Sequence, residues 1–328
     1  MKRAFVFVMA LLLPLSALCS EERWAVVNIS SCFLRAAPDY ESSCESQCLM
    51  GTVVEVTGSD RYWRRVNAPD YKDCWTNELA LSFMDEAQKD AYIAAPKMIC
   101  TARYSTLFAS AWEGAPVICD FTAGDIVRCS SGRRPGWTQV LMADGREAWV
   151  KSSDVASLDD WAASRRPEGE ILVSFAKSLL GTPYMWGGNT AKYFDCSGLV
   201  KFVYLMNGVL LPRNAREQIH LGVEVPFDFS RMQPGDLVFF GRKTSDGKIA
   251  SVTHVAMYIG DGRIIHSSQL VRINSLRSGE PDSYGRTPIA VRRILGSVDR
   301  SRFVSFYYLC KDPVFDTLIL RYKGPRVL

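Results

Sequence analysis

Apolar positions recur along this chain with two different periods, and the change between them divides it. Up to about residue 157 they stand in short β-branched or alternating runs punctuated by Gly, Pro, Asn and Asp. These runs predict strands at 24–29, 32–35, 52–57, 63–66 and 74–76, with a second series from about 98 to 156. Beyond residue 168 the spacing becomes helical. Ile171, Leu172, Phe175, Ala176, Leu179 and Leu180 line one face of a helix that Gly181 and Pro183 end. Leu199, Val200, Val203 and Met206 line a second helix, with Cys196 in its first turn and Asp195 or a neighbour as its cap. A short polar helix is expected through Gln218, then a turn opening a buried strand over 232–240, and strands at 251–259, 263–267, 271–274 and 289–294. Helices followed by strands, without βαβ alternation, give an α+β unit with an antiparallel sheet.

The front of the chain repeats itself. Trp63 and Trp75 are twelve residues apart, as are Trp137 and Trp149, and Gly51 and Gly124 each lead an apolar run. Seventeen residues before those glycines stand Leu34 and Leu107. Three recurring spacings predict a duplicated small β-barrel, at 21–83 and 97–156, of a kind that by itself suggests peptide or glycan binding. Residues 84–96, charged and alanine-rich, read as a short connecting helix, and the polar stretch 157–168 as a boundary before a unit at 168–300.

Composition places the chain in a compartment. Lys2 and Arg3, the apolar run 4–13 and the small residues around Ser16 and Ala17 have the form of a secretory leader, 1–20, cleaved near Cys19 or Ser20. A lipid anchor on Cys19 is disfavoured by the bulky Leu18 before it. The protein is therefore expected to be exported, periplasmic or envelope-associated, with no membrane span. Of the 39 basic residues, loss of Lys2 and Arg3 leaves 37 against 35 acidic, with no basic tract of the kind nucleic acid requires. Besides Cys19 the chain has Cys32, Cys44, Cys48, Cys74, Cys100, Cys119, Cys129, Cys196 and Cys310. In an oxidising compartment eight can pair, those of the first barrel among themselves and Cys310 with Cys100, Cys119 or Cys129, leaving Cys196 free. No zinc-type ligand spacing occurs, and neither metal nor cofactor is expected.

A helix N-terminus favours the thiolate, the nucleophilic form of cysteine, and so does a nearby imidazolium; the sequence therefore predicts a Cys196 thiolate populated near neutrality. Of the three histidines, His254 and His266 flank the turn Gly260-Asp261-Gly262. A hairpin centred on Gly260 sets them directly opposite each other on one face of the sheet. His254 then serves as base for Cys196, and His266 orients it, as nucleophile–base–orienter triads require. His220, on a polar stretch, reads as solvated.

These residues resemble the NlpC-type, papain-like cell-wall cysteine peptidases over about 170–296. The shared pieces, in the family's order, are Tyr184-x-Trp186-Gly187-Gly188, Asp195-Cys196-Ser197-Gly198, Leu211-Pro212-Arg213, Pro234-Gly235-Asp236-Leu237-Val238-Phe239, His254-Val255-Ala256-Met257-Tyr258 and Ile265-His266. The resemblance implies a papain-like catalytic unit behind two bacterial SH3-like domains, with Cys196, His254 and His266 as its triad. It further implies a monomeric γ-D-glutamyl-diamino acid endopeptidase acting on peptidoglycan stem peptides with a free N-terminal L-alanine. Tyr184, Asp195 and Ser197 would shape the pocket, and Glu45 and Tyr71 would face it from the first front unit. Asp195 would pair with the substrate ammonium, so that an acylated amine is rejected. Two other readings stay open: an N-acetylmuramoyl-L-alanine amidase or acyltransferase on the same core, and a wall-binding protein without activity. The apolar tail 301–328 is expected to pack on the front units.

Overall fold

Short runs rich in β-branched residues, separated by turn residues, build two sheets ahead of the helices. The computed structural model describes residues 23–297. The leader, the tail and Cys310 lie outside the described residues. In the first sheet the strand order is Cys44–Cys48, Cys32–Arg35, Tyr71–Asn77, Trp63–Ala68, Val53–Asp60, Trp24–Val27 and Leu81–Met84. The second runs Val117–Thr122, Tyr104–Phe108, Glu147–Lys151, Trp137–Leu141, Ile126–Arg134, Lys97–Cys100 and Val155–Ser157, the same order strand for strand.

Neither sheet closes into a barrel, which corrects the expectation of two SH3-like barrels. Closure needs the terminal strands to bond to each other. Here Cys44–Cys48 pairs with Cys32–Arg35 alone and Leu81–Met84 with Trp24–Val27 alone. The first of these end strands instead turns its side chains onto the C-terminal unit, and the second runs into helix Glu86–Ala94. Both end strands escape the sequence reading, because neither Cys44-Glu-Ser-Gln-Cys48 nor Leu81-Ser-Phe-Met84 is a run of β-branched residues. Part of the boundary at 157–168 is also ordered: Ser157 caps helix Leu158–Ser164, which buries Leu158 and Trp161.

Among the described residues no disulfide forms, and the eight cysteines there are thiols; the pairing expected of Cys310 lies outside the described residues. Cys32 and Cys48 stand opposite each other in the ladder, yet with Cys74 they serve as small apolar members of the first sheet's core. Burial pushes Cys32 up to about 11, despite a hydrogen bond with Thr76.

The C-terminal unit has six antiparallel strands in the order Val223–Glu224, Ala290–Arg293, Leu237–Lys243, Ile249–Gly260, Arg263–Ser268 and Leu270–Ser275. Helices Gly169–Ser178 and Cys196–Leu205 pack on one face. Leu199, Val200, Phe202 and Val203 meet Val255, Met257 and Ile265 there in the main core. The opposite face carries Val238, Phe240, Ala256, Tyr258 and Ile264. Among the described residues no helix is long and apolar enough to cross a membrane.

The front sheets are bonded to this unit rather than tethered to it. Asn189 N–H donates to Gln47 Oε1 at 3.0 Å, Tyr104 Oη donates to the Ala191 carbonyl at 3.0 Å, and Lys201 pairs with Asp70 at 2.9 Å. Gly187 explains one close approach. Its φ is +80°, and a Cβ there would lie 2.3 Å from the Cys44 carbonyl oxygen, so a side chain would push the first sheet off the site.

Candidate active site

Asp195 caps the helix that starts at Cys196, and it does more than cap. Its Oδ1 accepts from Gly198 N–H at 2.7 Å, Ser197 Oγ at 3.0 Å and Arg213 Nη1 at 3.2 Å. Its Oδ2 accepts from Arg213 Nη2 at 2.6 Å and Gly187 N–H at 3.1 Å. Arg213 is 2% exposed and also donates to Ser197 Oγ at 3.1 Å and, through Nε, to Ser46 Oγ at 3.1 Å. Burial by itself pushes the guanidinium down, but the adjoining Asp195 carboxylate outweighs it and holds Arg213 above its ordinary value. Five donors fill the carboxylate's lone pairs, and its charge is already matched. The partner the structure gives Asp195 is thus Arg213, where the resemblance implied a substrate ammonium. Gly198 belongs to the same knot, since a Cβ there would sit 1.9 Å from the Gly188 carbonyl oxygen.

Cys196 stands at the helix tip, half-buried. Burial and then the Asp195 charge push its thiol up to about 11, against hydrogen bonds from the backbone N–H groups of Val255 and Ser197 and the charge of Arg213. The expected resting thiolate is therefore replaced by a neutral thiol: burial and the Asp195 charge outweigh the helix N-terminus, which sequence alone had suggested would dominate.

His254 Nε2 and His266 Nδ1 are 2.8 Å apart. The hairpin register differs by two residues from the one centred on Gly260. Met257 faces Ile265 and Tyr258 faces Ile264, and an irregularity follows Tyr258. The histidines are thus diagonal rather than directly opposed, on the face of Ala256, Tyr258 and Ile264. A slip of two preserves the face, because side chains alternate with period two. Tyr284 covers both rings, its centroid 5.4 Å from His254 and 4.7 Å from His266, and it lies within electrostatic reach of Cys196.

Burial, then the neighbouring His266 and the cations Arg286 and Arg272, push His254 down to about 3. Burial pushes His266 down to about 4, opposed by its bond to Asn274. Both rings are therefore neutral around pH 7. The acid limb of kcat/KM is expected below about pH 5, since a buried neutral base resists protonation. A limb centred at the ordinary histidine value of 6.5 would contradict this environment. Stability follows the same sign: unfolded histidines take up protons near 6.5 and the folded ones only near 3 and 4, so unfolding becomes easier as pH falls through that window.

Of the other expected residues, Tyr184 lies within electrostatic reach of Cys196 and Asp195, and Tyr71 within reach of Arg213. Burial pushes the Tyr184 phenol up to about 12, with Cys196 and Asp195 adding to it. Glu45 sits where the ladder between Cys32–Arg35 and Cys44–Cys48 shifts register. Its Oε2 accepts from Tyr71 Oη at 2.9 Å, its Oε1 accepts from Ser43 Oγ, and it makes no ion pair among the described residues. Tyr71 is within reach of the Arg213 charge, which brings this acid to the Asp195 side of the site. His220 is exposed. Asn274, Tyr284, Ser46 and Asn189 escape the sequence reading because only folding brings them to the site. Arg213 lies within a recognised motif, but the motif does not reveal its partner.

A helix-tip cysteine beside an antiparallel sheet bearing a bonded histidine pair is the arrangement of papain-like cysteine peptidases. The chain belongs to the NlpC/P60 family, whose sequence profile matches residues 181–286. It is 38% identical over 134 residues to the gamma-D-glutamyl-L-lysine dipeptidyl-peptidase of Bacillus cereus, covering 41% of this chain and 39% of that one. It is 30% identical over 170 residues to the "Probable endopeptidase Cgl2188" of Corynebacterium glutamicum, covering 48% of this chain and 75% of that protein. A crystal structure of an NlpC/P60 family protein from Bacillus cereus superposes with a TM-score of 0.67 at 26% identity, covering 83% of this chain and 99% of that one. The chain spans less than half the length of several curated relatives it matches, 39% for the Bacillus cereus enzyme and 47% for a Bacillus subtilis one.

Proposed function

We propose that the unit at 168–300 hydrolyses the γ-D-glutamyl-diamino acid bond of peptidoglycan stem peptides whose N-terminal L-alanine is free, without metal or cofactor. The observation that supports the reading is the half-buried Glu45–Tyr71 pair of the first sheet, an acid with no ion pair among the described residues whose tyrosine partner lies within reach of Arg213. The name of the Bacillus cereus relative points to the same linkage. Glu45 receives the substrate ammonium, while Asp195, held by Arg213, fixes the helix tip. Tyr184 and Ser197 border the pocket.

The Cys196 Sγ–H proton passes to His254 Nδ1 as sulfur attacks the γ-carbonyl carbon. The backbone N–H of Cys196 faces the developing oxyanion. Collapse breaks the C–N bond, His254 returns the proton to the leaving amine, and water then cleaves the thioester. A neutral thiol–imidazole resting pair suits this order, since proton transfer and attack occur together in the desolvated cleft.

Assay of L-Ala-γ-D-Glu-diaminopimelate against its N-acetyl derivative tests the proposal. The free amine should be preferred by about 100-fold or more, since acetylation leaves Glu45 without its cation. Equal rates on both would overturn it and favour an amidase-type activity instead. Glu45→Gln should raise KM for the free-amine peptide about 10- to 100-fold, the usual worth of a charged hydrogen bond, and leave the acetylated peptide unaffected.

A further inference from the structure

The hydrogen-bonded chain that begins at His254 does not stop at His266. His266 Nε2 lies 2.9 Å from Asn274 Oδ1, and Asn274 Nδ2 donates to the Asp282 carbonyl oxygen at 2.7 Å. Asn274 stands opposite Ile264 in the ladder, so it shares the face of His266 on the adjacent strand Leu270–Ser275.

The far end of this chain sets its direction. A carbonyl oxygen can only accept, so the amide nitrogen of Asn274 must face Asp282 and its amide oxygen must face His266. That oxygen also only accepts, so His266 carries its proton on Nε2. A neutral imidazole has one N–H, which leaves His266 Nδ1 bare to accept from His254 Nε2–H. The remaining lone pair of the couple then sits on His254 Nδ1.

We propose that Asn274, anchored by the Asp282 carbonyl, is a positioning residue that fixes the tautomers of both histidines and keeps His254 Nδ1 open for the Cys196 proton. This rests on the reading of Cys196 and His254 as the reacting pair. The surroundings keep both rings neutral. Arg272, on the same strand as Asn274, and Arg286 disfavour a second proton, while Phe240 from the neighbouring strand and Tyr284 exclude water. Without the Asn274 acceptor, His266 is free to carry its proton on Nδ1. His254 Nε2 then becomes the acceptor, and its own proton moves to Nδ1, where it blocks the transfer from sulfur.

Nitrogen-15 NMR of histidine-labelled protein at pH 7 reads the tautomers in the free enzyme, independently of any substrate. Both rings should be protonated at Nε2, with pyridine-type Nδ1 signals. Asn274→Leu should shift His266 toward the Nδ1–H form and lower kcat about 100-fold with KM unchanged, a wrong-tautomer defect of the kind known from catalytic triads. Asn274→Asp, which keeps an acceptor for Nε2–H, should restore the tautomer and recover activity, with the acid limb moved to higher pH by the added negative charge. Slower alkylation of Cys196 by iodoacetamide in Asn274→Leu supplies a second readout that needs no peptide substrate. Wild-type His266 protonated at Nδ1, or folded Asn274→Leu with wild-type kcat and alkylation rate, would overturn the proposal. Failure of every γ-glutamyl peptide to react, with the tautomers as expected, would overturn the substrate reading and leave this one standing.

Discussion

Cys196→Ala is expected to abolish peptide hydrolysis, a loss on the order of 10⁶-fold in kcat if the three residues act as a unit. Stability should change little, because the side chain is small, half-buried and outside any bonded knot apart from two backbone N–H contacts. Labelling by an inhibitor built on the substrate peptide, which needs the pocket and the His254 base as well as a sulfur, should vanish with it. The other cysteines among the described residues are, like Cys196, held as thiols by burial, which pushes Cys74 and Cys100 well up and Cys119 up to about 12, and they lack a histidine pair to take their proton. Cys44 and Cys129, although only partly buried, are shifted the same way. Hydrolysis surviving in the alanine variant at more than a trace would move the chemistry elsewhere, and the case for a cysteine peptidase would go with it.

Arg213→Leu is expected to cost about 3–5 kcal/mol of folding stability, the penalty for stranding one member of a buried ion pair. The loss should exceed that of a surface arginine because three side chains, from the catalytic helix and the first sheet, meet on this guanidinium. It holds the Asp195 cap of the catalytic helix, the Ser197 hydroxyl in its first turn and Ser46 of the first sheet. Activity should fall together with stability, since the helix tip that presents Cys196 is no longer fixed and Glu45, one residue from Ser46, loses its placement. Urea titrations of Arg213→Leu, Asp195→Asn and the double variant separate the contributions. The double variant should be less destabilised than the sum of the single ones, because neither leaves the other's charge unpaired. Strict additivity would mean that the pair is not coupled, and a penalty below about 1 kcal/mol would place it among solvent-screened surface bridges.

Much of the C-terminal unit was legible because its signals are local. The apolar spacing from Leu199 to Met206 gives a helix, Asp195 gives its cap, and the alternation around His254 gives a strand. The face shared by the two histidines was legible for a stronger reason. A period of two makes the face insensitive to the error of two residues in the predicted register, whereas an error of one would have separated the rings. In the front half the strand spacings were readable, but whether the terminal strands meet is a property of the assembled sheet, and no local pattern carries it. The cysteines misled for a similar reason: their number and compartment suggested pairing, while the core of the first sheet uses Cys32, Cys48 and Cys74 as small apolar residues.

The sequence by itself determined the secondary structure around the site, the motif set of the NlpC/P60 family and the sharing of one sheet face by the two imidazoles, all of which depend on periodicity and nearest neighbours. Tertiary structure alone decided the rest. It assigned Asp195 to Arg213, eighteen residues away, and left Glu45 without an ion pair among the described residues; it replaced a thiolate by a half-buried thiol; and it set Asn274 behind His266. Charge pairing, desolvation and hydrogen-bond direction depend on which groups are adjacent in space, and that is fixed only once the sheets and helices have packed.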